Sequence, residues 1–173
     1  MRFSTTLLAV RDMNRSLEFY KTFFDQDVEC DLGWNKLLTC GLALQEHFDK
    51  LCGFSEDKMH FGAHNMELYF ETEDMDGFMK LLSVHPEVKR LHELKQDEWK
   101  QHVIRIFDPD GHIIEIGESM ESVAFKEFDA GHSLEETAEL IQHPIDLVKK
   151  WHENYLARKE QIENYLFYIE QKK

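Results

Sequence analysis

The chain has 173 residues, 42% of them hydrophobic and 13 of them Phe, which suits one domain with a real core and a modest appendage. A formal net charge of −14 repels phosphate backbones and anionic bilayers, which excludes nucleic acid and membrane surfaces as expected partners. No apolar run reaches the roughly 18 residues of a membrane span. The first residues lack the long apolar stretch and small-residue cleavage site of a secretory signal. Cys30, Cys40 and Cys52 are odd in number and contain no C-x-x-C, so reduced thiols in a cytoplasmic protein are expected.

The first element, "STTLLAV", is short and rich in Thr, Leu and Val, as a strand is. "RDMNRSLEFYKTFF" then changes to helical period. Leu17, Tyr20 and Phe24 recur at i, i+3 and i+7, and Asp12 or Asn14 can cap the start. "KLLTCGLALQ" is apolar and broken by Gly41, which reads as two short strands. "NMELYFETEDMDGFMKLL" repeats the opening, with a strand from Met66 to Thr72 and a helix opening at Asp74. Aligning Asp12 with Asp74 puts Met13 on Met75, Asn14 on Asp76, Leu17 on Met79 and Leu8 on Phe70. "HVIRIF" and "HIIEIGE" follow, joined by "DPDG". Pro109 presets one turn dihedral there and Gly111 supplies a positive φ, so antiparallel strands flank the turn. Residues 1 to about 118 thus read as two copies of one β-α-β-β-β unit, about 1–50 and 60–118. The fold class expected is α+β with a helical extension over 119–173.

That extension carries the capping box "SLEE", in which Ser133 and Glu136 satisfy each other's amides. Pro144 suits the first turn of the next helix, whose apolar side is marked by Leu147, Trp151 and Leu156. A final helix carries Ile162, Leu166 and Ile169. The rhythm resembles a helix-turn-helix, but acidic residues outnumber basic ones across 118–173, and a helical lid or dimer-packing element is expected instead of a DNA reader.

Strand alternation sorts side chains to faces. Thr6, Leu8 and Val10 should pack on helices, leaving Thr5, Leu7 and Ala9 opposite. In the second copy Glu67, Tyr69 and Glu71 take that opposite face. On the last strand Ile114 and Ile116 pack down, leaving Ile113, Glu115 and Gly117.

Residues 1 to about 118 resemble the vicinal oxygen chelate superfamily, which includes glyoxalase I, bleomycin-resistance proteins, extradiol dioxygenases and fosfomycin-resistance enzymes. Three segments carry the resemblance: "LLAVRDMNRSLEFYKTFF", "ELYFETEDMDGFMKLL" and "FDPDGHIIEIGE". It implies paired βαβββ modules forming a curled mixed sheet around a cavity, in a chain that forms a homodimer. It also implies ligand positions on the first and last strand of each module. These are Thr5 and Glu67, then Leu44, with Gln45 as the alternative register, and Glu115.

Thr, Leu, Glu and Glu differ from the His, Gln and Glu sets of glyoxalase I-like members and from the two His and one Glu of dioxygenase-like members. Zn, Ni and Fe need three or four good ligands, whereas Mg or Mn could be held weakly by carboxylates and water. No cofactor is therefore expected. A surface or structural role is expected of His64; if a metal binds, Glu67 and Glu115 are the candidate ligands, with His64 as the further alternative. Glu67 and Glu115 are the candidate catalytic pair: like charge and desolvation raise a carboxylate's pKa, and a carboxylate so raised can act as a general base. The alternative is that they bond to Tyr69, Thr5 or Arg105. Thr5, Leu7, Leu44, Tyr69 and Arg105 are the candidate ligand-binding residues, with loops 45–65 and 83–98 shaping the pocket.

Two functions stand at this point. One is metal-free binding of a small cationic or aromatic molecule in the concave groove. The alternative is a metal-dependent lyase, isomerase or dioxygenase, lactoylglutathione-lyase-like or dioxygenase-like, with a carboxylate-rich site.

Overall fold

The computed structural model describes residues 1–172. The first module runs β1 (Thr6–Ala9), α1 (Met13–Phe24), β2 (Val28–Asp31), β3 (Asn35–Leu38) and β4 (Leu42–Gln45). A five-residue helix, α2 (Phe48–Cys52), follows. The second module runs β5 (Glu67–Thr72), α3 (Met75–Ser83), β6 (Lys95–Gln96), β7 (His102–Phe107) and β8 (Ile113–Glu118). The two sheets have the same topology, β1-β4-β3-β2 and β5-β8-β7-β6. The repeat seen in the sequence is therefore a repeat of architecture, and the two long module helices open at the aligned residues Met13 and Met75.

Local chemistry explains the element ends. Asp12 caps α1 by accepting from the Arg15 amide at 3.0 Å. The helix stops at Asp25, which adopts the left-handed conformation at φ 52°. Its buried stripe is Met13, Ser16, Phe19, Tyr20 and Phe23, with Phe24 stacked on Phe70 at 4.2 Å between ring centroids. β1 pairs with β4 in parallel, and β3 pairs with β4 antiparallel, so the first sheet is mixed. The β2–β3 pairing slips between Val28 and Cys30, and all four β2 residues are exposed.

The chain divides into two compact units. One comprises Met1–Phe70, Asp76–Glu93 and Ile104–Glu115; the other comprises Glu71–Met75, Leu94–Val103 and the chain from Ile116 onward. Leu8, Tyr20, Leu38, Leu44, Leu82, Ile104, Ile106 and Ile114 are fully buried in the first. Each such Leu or Ile contributes about 1.5–3 kcal/mol by leaving water.

The second unit is built on α4 (Met120–Asp129), α5 (Leu134–Leu140) and α6 (Ile145–Glu170). Val123, Ala124, Phe128, Ile141, Val148 and Tyr155 form its core, with Leu134, Leu140 and Trp151 packed around them. The Ser133–Glu136 capping box is present. Three expectations need correction. Pro144 is the residue before α6 rather than within its first turn, and α6 is one continuous helix of 26 residues rather than two. No Gly or Pro interrupts residues 145–170, so nothing breaks the ladder. Its packing face is Val148, Trp151 and Tyr155, while Leu147 and Leu156 are exposed.

Glu118 ties this unit together. Its carboxylate accepts from the His102 amide at 3.1 Å and faces the His102 ring at 2.9 Å, and Lys126 pairs with its other oxygen. Burial alone would push the Glu118 carboxyl up, but Lys126 and His102 outweigh it and hold it below its ordinary value of 4.5. A carboxylate depressed in the fold contributes stability above its unfolded value, and that stability is lost as pH falls through the folded value. Glu118→Gln is expected to cost about 2 kcal/mol at pH 7. It should also flatten the loss of stability as pH drops below 4.5. Urea unfolding of both proteins at several pH values checks this. An unchanged acid limb would remove Glu118 from the account.

Candidate functional site

Three strands of the second module bring three charged side chains together. Arg105 on β7 donates from Nε to Glu67 Oε2 on β5 at 2.8 Å. Its Nη2 pairs with Glu115 Oε2 on β8. Its Nη1 lies 3.4 Å from His92 Nε2. The His92 Nδ1 is 2.7 Å from the Glu93 carbonyl, which fixes Nδ1 as the protonated nitrogen and leaves Nε2 to accept from Arg105. All three guanidinium nitrogens are therefore engaged. Side-chain exposure grades from 41% at Glu67 through 23% at Arg105 to 11% at Glu115. The two carboxylates and one guanidinium leave one net negative charge, most accessible at Glu67. Tyr69, two residues along β5 and so on the same face, is 47% exposed.

The glutamate within the isoleucine-rich last strand is thus explained. Ile114 and Ile116 are buried and apolar, and Glu115 turns to the face where Arg105 meets it. An unpaired carboxylate there would cost several kcal/mol.

The first module supplies a different set. Thr5 donates its hydroxyl to the Gly41 carbonyl at 2.5 Å. Leu7 is half-buried and pairs with Ala43. Leu44 needs correction. It pairs with Leu8 and is fully buried, so it shares the packing face of Leu8 rather than the face of Thr5 and Leu7. Gln45, paired with Ala9, takes the opposite face. Its amide is already used at both ends, accepting from Asn35 at 3.0 Å and donating to the Glu46 carbonyl at 2.6 Å.

His64 precedes β5. It adopts φ 52° and packs its ring 5.2 Å from Phe107. It lines an open cleft of about 830 Å³ together with Arg15, Phe23, His85, Lys89 and Asp110. None of Glu67, Glu115, Arg105, Tyr69, Thr5, Leu7 or Leu44 lines that cleft. The grouping of His64 with Glu67 and Glu115 is therefore not formed. Among the described residues no three His, Cys, Asp or Glu side chains gather as a metal site. The family-type positions hold a committed hydroxyl, a buried leucine and two glutamates already paired with a guanidinium. That donor set does not fit Zn, Ni or Fe.

Sequence reasoning missed His92, which sits in an irregular segment with no motif around it. It also read "DPDG" only as a turn, whereas both aspartates are buried anchors. Asp108 accepts from the Tyr20 hydroxyl at 3.2 Å, from the amides of Asp110 and His112 at 2.9 and 2.8 Å, and faces His112 Nδ1 at 2.9 Å. Burial, with the Asp108 carboxylate beside it, raises the Tyr20 hydroxyl well above its ordinary pKa. Asp110 accepts from the Arg11 amide at 3.1 Å and from its guanidinium at 3.0 Å, with Arg15 at 3.6 Å. Arg11 in turn lies 3.7 Å above the Phe61 ring.

The sequence profile of a glyoxalase-like domain matches residues 3–121. A protein of unknown function from Agrobacterium tumefaciens str. C58 is 36% identical, with a TM-score of 0.62, over 69% of this chain and 94% of that one. The lactoylglutathione lyase from Agrobacterium tumefaciens shares the fold at 20% identity and a TM-score of 0.53, over 68% and 93% of the two chains. A glyoxalase-related enzyme from Fulvimarina pelagi shares it at 18% identity and 0.57, over 68% and 88%. No curated protein sequence matches significantly.

Proposed function

We propose that this chain, which belongs to the glyoxalase-like domain family of the vicinal oxygen chelate superfamily, binds a small cationic or aromatic molecule without a metal ion. The observation that carries this reading is Arg105. Its guanidinium lies between Glu67 and Glu115, the two family-type positions that keep acidic side chains. A cation supplied by the protein competes directly with a metal ion for the same oxygens. What supports a ligand here is the partly exposed carboxylate of Glu67 with the partly exposed Tyr69 on the same face of β5. A carboxylate beside an aromatic face suits a cation carried on a flat, apolar body. Residues 1–118 carry this binding domain, with 119–173 as a helical extension. Three exposed cysteines with no disulfide support a reducing, cytoplasmic setting.

The second reading, a metal-dependent lyase, isomerase or dioxygenase, rests on the convergence of Glu67 and Glu115 on one point. One experiment separates the two. Protein purified without chelator or affinity-tag metal is assayed for metal content. Its thermal shift is then recorded against Mg, Mn, Fe, Ni and Zn and against a panel of aromatic cations. Binding without metal predicts a shift with an aromatic cation that persists in chelator and falls about tenfold in affinity in Glu67→Gln or Tyr69→Ala. Near one equivalent of metal, lost in Glu115→Ala, would overturn it in favour of the enzyme.

A further inference from the structure

α6 outruns the core it helps to build. Tyr155 is its last buried residue, and its hydroxyl donates to Asp129 on α4 at 2.7 Å. One step further, Arg158 lies 5.9 Å from the Phe125 ring centroid and Lys159 pairs with Asp129 at 3.1 Å. Beyond that point Ile162, Tyr165, Leu166, Phe167 and Tyr168 are each half exposed or more. A polar helix end would need no explanation, but this one is apolar. A helical segment of roughly a dozen residues without tertiary packing is marginal in water. Contiguous exposed apolar surface of this kind marks an interaction site.

The spacing says what kind. Lys159, Ile162, Leu166 and Ile169 recur at alternating intervals of three and four, which is a two-helix seam. Lys159 and Leu166 take its a positions; Ile162 and Ile169 take its d positions. Arg158 and Tyr165 then flank the seam at g, and Glu163 and Glu170 at e. In a parallel pair, g meets e five residues on in the other helix. Arg158 therefore meets Glu163 of the second copy, twice by symmetry. An antiparallel pair would set Glu163 against its own counterpart, a like-charge contact, and would leave Arg158 without the Glu163 partner. The one awkward seam residue, Lys159, is already drawn aside and neutralised by Asp129 of its own chain.

From this we infer that the distal half of α6, residues 159–170, pairs in parallel with the same segment of a second copy. The homodimer suggested by the family resemblance thereby acquires an interface, outside the glyoxalase-like region and independent of the ligand. The contact is isologous, so it closes at two copies.

Sedimentation of the full chain over a concentration series tests this. The expected species has twice the 20.6 kDa chain mass at high concentration. Leu166→Glu and Ile162→Glu lie outside the α4–α6 core, so the near-ultraviolet signal of the core aromatics should persist. Each should weaken the dimer on the order of a hundredfold. Arg158→Glu and Glu163→Arg should each weaken it roughly tenfold, and their combination should restore it. A monomer at every concentration overturns the inference. A dimer indifferent to Leu166→Glu overturns it by placing the interface elsewhere. Single charge reversals that strengthen the dimer, or a double reversal that fails to restore it, overturn the parallel register.

Discussion

Arg105→Met is expected to destabilise the chain by about 3 kcal/mol and to give it a weak affinity for Mg or Mn. The stability loss follows from Glu115. Its carboxylate is 11% exposed and its charge is met by Arg105. Methionine keeps much of the apolar stem but removes the counter-ion, so a nearly buried anion is stranded. Glu67, at 41% exposure, can turn to water and loses little. The metal affinity follows from the same deletion, because two carboxylates then share a space with no cation between them. Hard divalent ions with several waters suit such a site, whereas Zn and Ni do not. Urea unfolding gives the first quantity and isothermal titration with Mg and Mn gives the second. Arg105→Met/Glu115→Met should recover most of the stability and lose the metal response, because charge and counter-ion leave together. Neutral behaviour of Arg105→Met would mean that the guanidinium is not the partner Glu115 depends on.

Asp108→Ala is expected to cost about 3 kcal/mol, a fall in Tm of roughly 10 °C for a chain of this length. One carboxylate there serves the Tyr20 hydroxyl, two backbone amides and the His112 ring. Its removal leaves four groups without their acceptor in a buried place. Asp108→Asn should cost less than alanine, since one oxygen remains to accept. Tyr20→Phe should cost less again, since the other three donors keep their acceptor. Thermal unfolding of the three variants gives the order, and hydrogen exchange at residues 108–112 should rise most in the alanine variant. Equal losses in all three would show that volume rather than hydrogen bonding sets the cost.

The sequence carried the architecture because repetition and turn chemistry are local. Met13 and Met75 opened their helices in register, and Pro109 with Gly111 joined two antiparallel strands. Glu67 and Glu115 were placed on one face by alternation alone, and they do meet a common partner. Leu44 was misplaced for a physical reason. "LALQ" is buried along its whole length, Gln45 included, so exposure does not separate its two faces and its parity cannot be read. Only the pairing with Leu8 fixes which way it faces. His92 and the aspartates of the turn were hidden differently. Their partners, Arg105, Tyr20 and Arg11, are distant in sequence, and nothing local announces the meeting. The continuity of α6 was missed because an exposed apolar stripe was read as the mark of a separate packed helix.

The wholly exposed β2 bears on how such a chain stays unaggregated while it is being made. A sheet edge offers unpaired amides and carbonyls to any extended chain that drifts by. Sheet order leaves β2 at such an edge, with Val28 exposed and a free thiol at Cys30. Two features blunt it. The slip between Val28 and Cys30 interrupts the regular ladder a newcomer would copy. Glu29 and Asp31 alternate with the apolar residues, so two copies approaching edge to edge bring like charges together. The strong acidity of the chain, first met as a reason to exclude nucleic acid, thus also works at this margin, as a guard against fibre-like growth.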